Sequence, residues 1–145
     1  MTVEIRETPF NPWEVLADYQ AAGPIEQGTF GATASFVGTM RDFNEGDDVC
    51  GMTLEHYPGM TDRQLEQIRA DAVKRWSLLD ALIVHRVGSL APGDPIVLVA
   101  TWSAHRRAAF ESCRHLMEAL KSQAPFWKKE HIGELSRWVE KNTAG

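Results

Sequence analysis

At 145 residues, 43% hydrophobic and 24% charged, the chain has the composition of one soluble globular domain large enough to bury a core. Its net charge of −5 excludes any general attraction for nucleic acid or an anionic membrane, so an anionic ligand needs a local patch of cations. No apolar run approaches the roughly 20 residues of a membrane span, and two distant cysteines without a C-x-x-C pair imply a reduced, cytoplasmic protein.

The amino terminus, residues 1–6, shows neither the charged nor the apolar stretch of a secretory signal, and residues 3–7 alternate like a short strand. Asn11 is placed to cap a helix over 12–20, with Pro12 at its first position, where no N–H is needed. Residues 29–39, rich in small and β-branched types, predict a strand, and 49–57 predict another that Pro58-Gly59 breaks. Thr61 is expected to cap a helix reaching about Trp76, with Leu65, Ile68, Ala72 and Trp76 along one side.

Residues 81–87 and 96–102 are apolar, β-rich runs joined by a turn-bearing stretch from Gly88 to Asp94. Ser103 is expected to cap a second long helix over 104–122, which Pro125 ends, and 126–131 and 137–140 predict short closing strands. Strands outnumber helices and often follow one another directly. That pattern predicts a single α+β domain over 1–145, with a largely antiparallel sheet and helices packed on one side.

Three clusters carry candidate chemistry. Ser103-Ala104-His105-Arg106-Arg107 places three cationic or titratable side chains in the first turn of a helix, against the helix dipole. Such violations of local preference concentrate at functional sites, and free N–H groups beside Arg106 suit a phosphate. At about 100° per residue Arg106 lines up with Phe110, Cys113, Met117 and Leu120, and an inward-facing arginine needs a partner. A carboxylate or helix carbonyl serves that need as well as a ligand does.

The second cluster is Lys121 with Pro125-Phe126-Trp127-Lys128-Lys129-Glu130. In an extended segment Phe126, Lys128 and Glu130 share one face. A lysine enclosed by Phe, Trp and Met is desolvated, which lowers its pKa and suits it to acid–base work. The competing reading is that both lysines are ordinary surface side chains with their stems laid along the protein. The third cluster, Phe36-Val37-Gly38-Thr39-Met40-Arg41-Asp42, puts Arg41 at a strand's end, facing either a site or a surface pairing with Asp42 or Asp48. Phosphate-loop, dinucleotide, zinc-protease and serine-hydrolase motifs are all missing from the sequence, and the five histidines do not fall at metal-ligand spacing.

Taken in order, these segments resemble the catalytic subunit family of molybdopterin synthase. The resemblance rests on residues 36–42, on Leu-Glu-His-Tyr-Pro-Gly-Met at 54–60, and on His-Arg-Val-Gly at 85–88. It rests equally on Ser-Ala-His-Arg at 103–106 and Leu-Lys-Ser-Gln-Ala-Pro-Phe-Trp-Lys-Lys-Glu at 120–130, and it runs from about Thr29 to about Glu140. Met40, where valine is commoner, and His131-Ile132 depart from the family pattern.

The resemblance implies an enzyme that builds the dithiolene of molybdopterin on cyclic pyranopterin monophosphate. Sulfur would come from the carboxy-terminal Gly-Gly thiocarboxylate of a small ubiquitin-like partner. It further implies a homodimer of this chain at the centre of a heterotetramer, and it calls for no metal or redox cofactor. Lys121 and Lys128 take the catalytic positions, and Phe36, Arg41, His105, Arg106 and Met117 line the pocket. Lys121 would orient the thiocarboxylate and protonate a departing group, with Lys128 stabilising charge.

Two other classes compete with this reading. A non-catalytic anion-sensing or protein-binding module accounts for His105-Arg106 but not for the two lysines. A persulfide sulfurtransferase would use Cys50 or Cys113, yet one is expected mid-strand and the other on an apolar helix stripe, both poor settings for a reactive thiol. Finally, about 22 Å of helix separates Arg106 from Lys121, which leaves two arrangements. His105 and Arg106 serve the lysine pocket of a neighbouring copy, the arrangement expected here, or a curved pocket or a loop carrying Arg41 bridges the gap within one copy.

Overall fold

The computed structural model describes residues 3–44, 46–133 and 135–139. Its centre follows from two runs that have no polar face. Strand β6 (Asp80–Arg86) is buried at every position, and β8 (Pro95–Ser103) at its last seven, as expected of strands covered on both sides. They pair antiparallel with Ile83 opposite Val99. Strand β1 (Val3–Arg6) adds parallel to β6, and β2 (Ala32–Thr39) adds antiparallel to β8, giving the order β1-β6-β8-β2.

Side-chain alternation divides this sheet's residues between two apolar layers. Ala81, Ile83, Val97 and Val99 pack under the long helices α2 (Met60–Trp76) and α3 (Arg106–Gln123). Leu82, Val84, Leu98, Ala100 and Trp102 pack against Phe10, Ile25 and the short helix α1 (Pro12–Ala21). The expectation of helices on one side thus describes α2 and α3. The first helix lies on the opposite face, because Leu82, Val84, Leu98, Ala100 and Trp102 are apolar as well and need cover.

A second four-stranded sheet contains β5 (Gly51–His56), β7 (Gly88–Leu90), β9 (Phe126–Ile132) and β10 (Leu135–Trp138). It is antiparallel throughout, in the order β10-β9-β5-β7. Between β2 and β5 lies a ribbon of β3 (Phe43–Asn44) and β4 (Asp47–Asp48). Gly88, at φ +87°, lets the chain leave β6 and enter the second sheet as β7 after only one intervening residue. Met40, Val49, Met52, Leu54 and Leu90, with Ile96 and Ile132 against them, form a third apolar cluster joining the two sheets. The α+β class and the mostly antiparallel pairing stand as expected from sequence. What periodicity did not reveal is that the described strands form two four-stranded sheets and a short ribbon, one of the sheets carrying a parallel edge pair.

The helix starts separate one good local inference from two corrections. Asn11 caps α1, its side chain accepting from the N–H groups of Trp13 and Glu14 at 3.0 and 3.3 Å. Thr61 is not a cap. It is fully buried inside α2, where its hydroxyl accepts from the Tyr57 N–H and donates to the Pro125 carbonyl. Ser103 is not a cap either. It closes β8 and its hydroxyl donates to the His105 carbonyl, while His105 stands at the N-cap of α3 without a side-chain bond. Both hydroxyls are buried, and a buried donor bonds the nearest carbonyl the fold supplies. The last strand is β10, two residues earlier than expected, and Glu140 lies outside the described residues.

Candidate functional site

The sequence from Cys113 to Glu130 builds most of a cavity by itself. Cys113, Met117 and Leu120 run down the inward stripe of α3, with Lys121 on its flank. Pro125 then turns the chain back as β9, whose alternation aims Phe126, Lys128 and Glu130 at the helix they follow. Strand β2 forms the other wall. Together they enclose about 980 Å³, lined by Phe36, Arg41, Met117, Lys121 and Lys128 among others. That is at the upper end of the range for small-molecule sites. Five of the seven expected site residues therefore meet around one space.

Electrostatics inside are unusual. Burial lowers the pKa of Lys128 to about 7, and the positive charge of Lys121 and a hydrogen bond with Lys121 push in the same direction. Glu130, two residues along the same strand face, acts the other way. It is only 6% exposed and accepts from Arg137 Nε at 3.1 Å, while Arg137 Nη2 donates to the Asn44 carbonyl at 3.1 Å.

His85 closes the inner wall. Its ring lies flat on Phe126, with centroids 3.9 Å apart and planes at 13°. Its Nδ1 lies 2.8 Å from the Arg86 carbonyl, which can only accept, so Nδ1 carries the proton and Nε2 keeps a lone pair. Burial first, then the charges of Lys128, Lys121 and His56, lower its pKa to about 4 against the pull of that carbonyl. The ring is neutral wherever Lys128 titrates.

The other two expected residues stand apart. His105 and Arg106 are exposed and do not line the cavity, and Phe110, one turn on, is 69% exposed. The expectation that Arg106 faces inward with the apolar stripe is corrected here. Its angle on the helix is inward, but α3 starts after only two intervening residues from β8, and its first turn is exposed. Burial on α3 begins at Ala109.

Neither cysteine is set up as a nucleophile. Cys50 precedes β5 and is exposed, its thiol donating to the His131 carbonyl at 3.1 Å. Cys113 reaches the cavity wall, but burial raises its pKa to about 11, the reverse of activation. Among the described residues no three His, Cys, Asp or Glu side chains come together as a metal set. Sequence reasoning gave no role to His85, Glu130 or Arg137. A signal existed for the first, a histidine directly after the apolar run of residues 81–84, and for the second, a carboxylate in phase with Lys128.

Comparison with known proteins agrees with this geometry. The MoaE protein family model matches residues 5–123. The molybdopterin synthase catalytic subunit of Pseudomonas aeruginosa is 49% identical over 140 residues, which are 97% of this chain and 91% of that one. The solved MoaE protein of molybdopterin biosynthesis from Burkholderia ambifaria superposes with a TM-score of 0.78 at 47% identity, covering 95% of this chain and 88% of that one. A complex of subunits 1 and 2 of the molybdopterin-converting factor from Helicobacter pylori shares the fold, with a TM-score of 0.81 at 22% identity, over 99% of this chain and 93% of that one.

Proposed function

This chain belongs to the MoaE family of molybdopterin synthase catalytic subunits, and from that premise we propose the reaction its cavity performs. The enzyme moves sulfur from the carboxy-terminal thiocarboxylate of a small ubiquitin-like partner onto cyclic pyranopterin monophosphate, forming the dithiolene of molybdopterin. The observation that carries this reading is the lysine pair. Lys121 and Lys128 face one enclosed space, and Lys128 titrates at about 7.

Phosphate and thiocarboxylate are both anions, and a chain of net charge −5 must gather cations locally to hold them together. Each sulfur insertion also expels an oxygen, which leaves only if it is protonated. A group titrating near neutral pH can both give and receive that proton, so Lys128 takes the proton-transfer role. Lys121, on the facing helix, orients the thiocarboxylate. Sequence reasoning assigned both tasks to Lys121, and the desolvation of Lys128 supports dividing them. Phe36 and Met117 supply apolar wall for the pterin, and Arg41 stands at the rim.

The exposed His105 and Arg106 fit a site completed by a second copy. In this arrangement they bind the pterin phosphate in the neighbour's cavity, within a homodimer that carries one small subunit at each end. The whole chain acts as one domain in the cytoplasm. Among the described residues no helix is long and apolar enough to cross a membrane.

The decisive experiment incubates the protein with the pterin precursor and a thiocarboxylated small partner and assays the dithiolene product. Conversion that depends on the thiocarboxylate is expected. Tight binding of both molecules without any product would instead make this chain an anion-binding module.

A further inference from the structure

Glu130 raises a question that the lysine pair does not answer. It lies two residues from Lys128 on the same face of β9, about 7 Å away along the strand. A carboxylate this near, in a cavity shielded from water, ordinarily pairs with the ammonium and fixes it in its charged form. Yet Lys128 is desolvated and faces a second lysine.

The answer lies across the hairpin. Arg137 is directly opposite Glu130 in the β9–β10 register and bonds its carboxylate through Nε at 3.1 Å. The same guanidinium holds the Asn44 carbonyl at 3.1 Å, which ties the hairpin to the rim of the cavity. A planar guanidinium gripped at two points has little freedom to release its carboxylate.

We propose that Arg137 is a positioning residue for sulfur transfer, which holds the Glu130 carboxylate so that Lys128 is left without a neutralising counter-ion. This rests on the proposed role of Lys128 in proton transfer. Glu130 still favours the charged form of Lys128, and the positive charge of the arginine on it acts the opposite way. Among the described residues, the other charged or titratable groups around this cavity are Lys121, Cys113, Arg114 and Glu118 on α3, His85 on β6, His56 on β5, and Arg41 after β2. His85 is neutral in the relevant range, and Glu118 is exposed with Arg114 at 3.6 Å. Glu130 is the buried carboxylate of this set, so its partner sets the balance.

The signs of the shifts test this. Arg137→Gln releases the carboxylate toward Lys128 and raises its midpoint by about one unit. Glu130→Gln removes the negative charge and lowers the midpoint. The double variant removes both charges and returns it close to the starting value. A purely structural hairpin staple behaves differently, because loosening the cavity hydrates Lys128 and moves every variant upward.

The measurement is NMR titration of the Lys128 side chain in the full-length protein without substrates, with Arg137→Lys as a charge-preserving control expected to shift least. Opposite shifts in the two single variants support the proposal. Equal directions, or an unmoved midpoint in Arg137→Gln, overturn it. The same variants are then assayed for sulfur transfer against pH. If the NMR midpoints move as expected while the rate profile stays still, the hold of Arg137 on Glu130 stands, and the proton-transfer role of Lys128 falls together with the positioning role built on it.

Discussion

At the start of α3, His105, Arg106 and Arg107 stand in water with the helix dipole against their charge, and Arg107 pairs with exposed Glu111 at 3.2 Å. At the end of the same helix Lys121 meets Lys128 across a cavity, where the dipole favours a cation and burial disfavours it. Both clusters suit an anion, yet they suit it to different ends. Exposed arginine keeps its charge at every working pH and can bind but not exchange protons. Enclosed lysine loses part of its charge near pH 7 and can do chemistry. The difference lies in which end of the helix the second sheet covers, and residue type alone does not reveal it.

The comparison is broken most severely at the covered end. Lys121→Ala should cut dithiolene formation by about 100-fold or more while the circular dichroism spectrum and melting temperature stay close to the parent's. Turnover near the parent's rate would remove Lys121 from the mechanism and leave the cavity as a binding site only.

At the exposed end the expected loss is smaller and falls on binding. Arg106→Ala should weaken pterin-phosphate affinity by about tenfold, the worth of one charge-assisted bond, and weaken the small subunit's affinity less. Titration calorimetry with each ligand separates the two. Mixing Arg106→Ala with Lys121→Ala protein should restore part of the activity, since one of the two shared sites in a mixed dimer is then intact. No recovery in verified mixed dimers would mean that each site is built from one chain.

The smallest effect sharpens the comparison by exclusion. A Cys50→Ser, Cys113→Ser double variant should keep sulfur transfer within about threefold of the parent, because neither thiol is activated. A folded but inactive double variant, supplied with thiocarboxylated partner, would favour a persulfide route instead.

Much of this molecule was legible one turn or one strand at a time. Asn11 before Pro12 caps α1, because the cap bond spans only two or three residues and nothing distant competes for it. The apolar runs in β6 and β8 identify the central strands, since a strand covered on both faces has no polar phase to show. The order of motifs from Phe36 to Glu130 identified the family and placed Lys121 and Lys128 together. Thr61 and Ser103 looked like caps by the same local logic, and there it failed. Their hydroxyls are buried against carbonyls of Pro125 and His105, and one of those lies 64 residues away.

Tertiary structure decided everything that depends on exclusion of water. Arg106 has an inward helical angle but stands exposed. His85 is held neutral by burial and by the charges of Lys128, Lys121 and His56, under Phe126, a ring from another sheet that stacks on it. Lys128 departs from an ordinary lysine because α3, β2 and β9 close around it, and Arg137 reaches Glu130 only through the pairing of β9 with β10. Local preference is settled by neighbours in the chain, which a sequence displays. Desolvation is settled by segments far apart in the chain, and only the folded molecule brings them together.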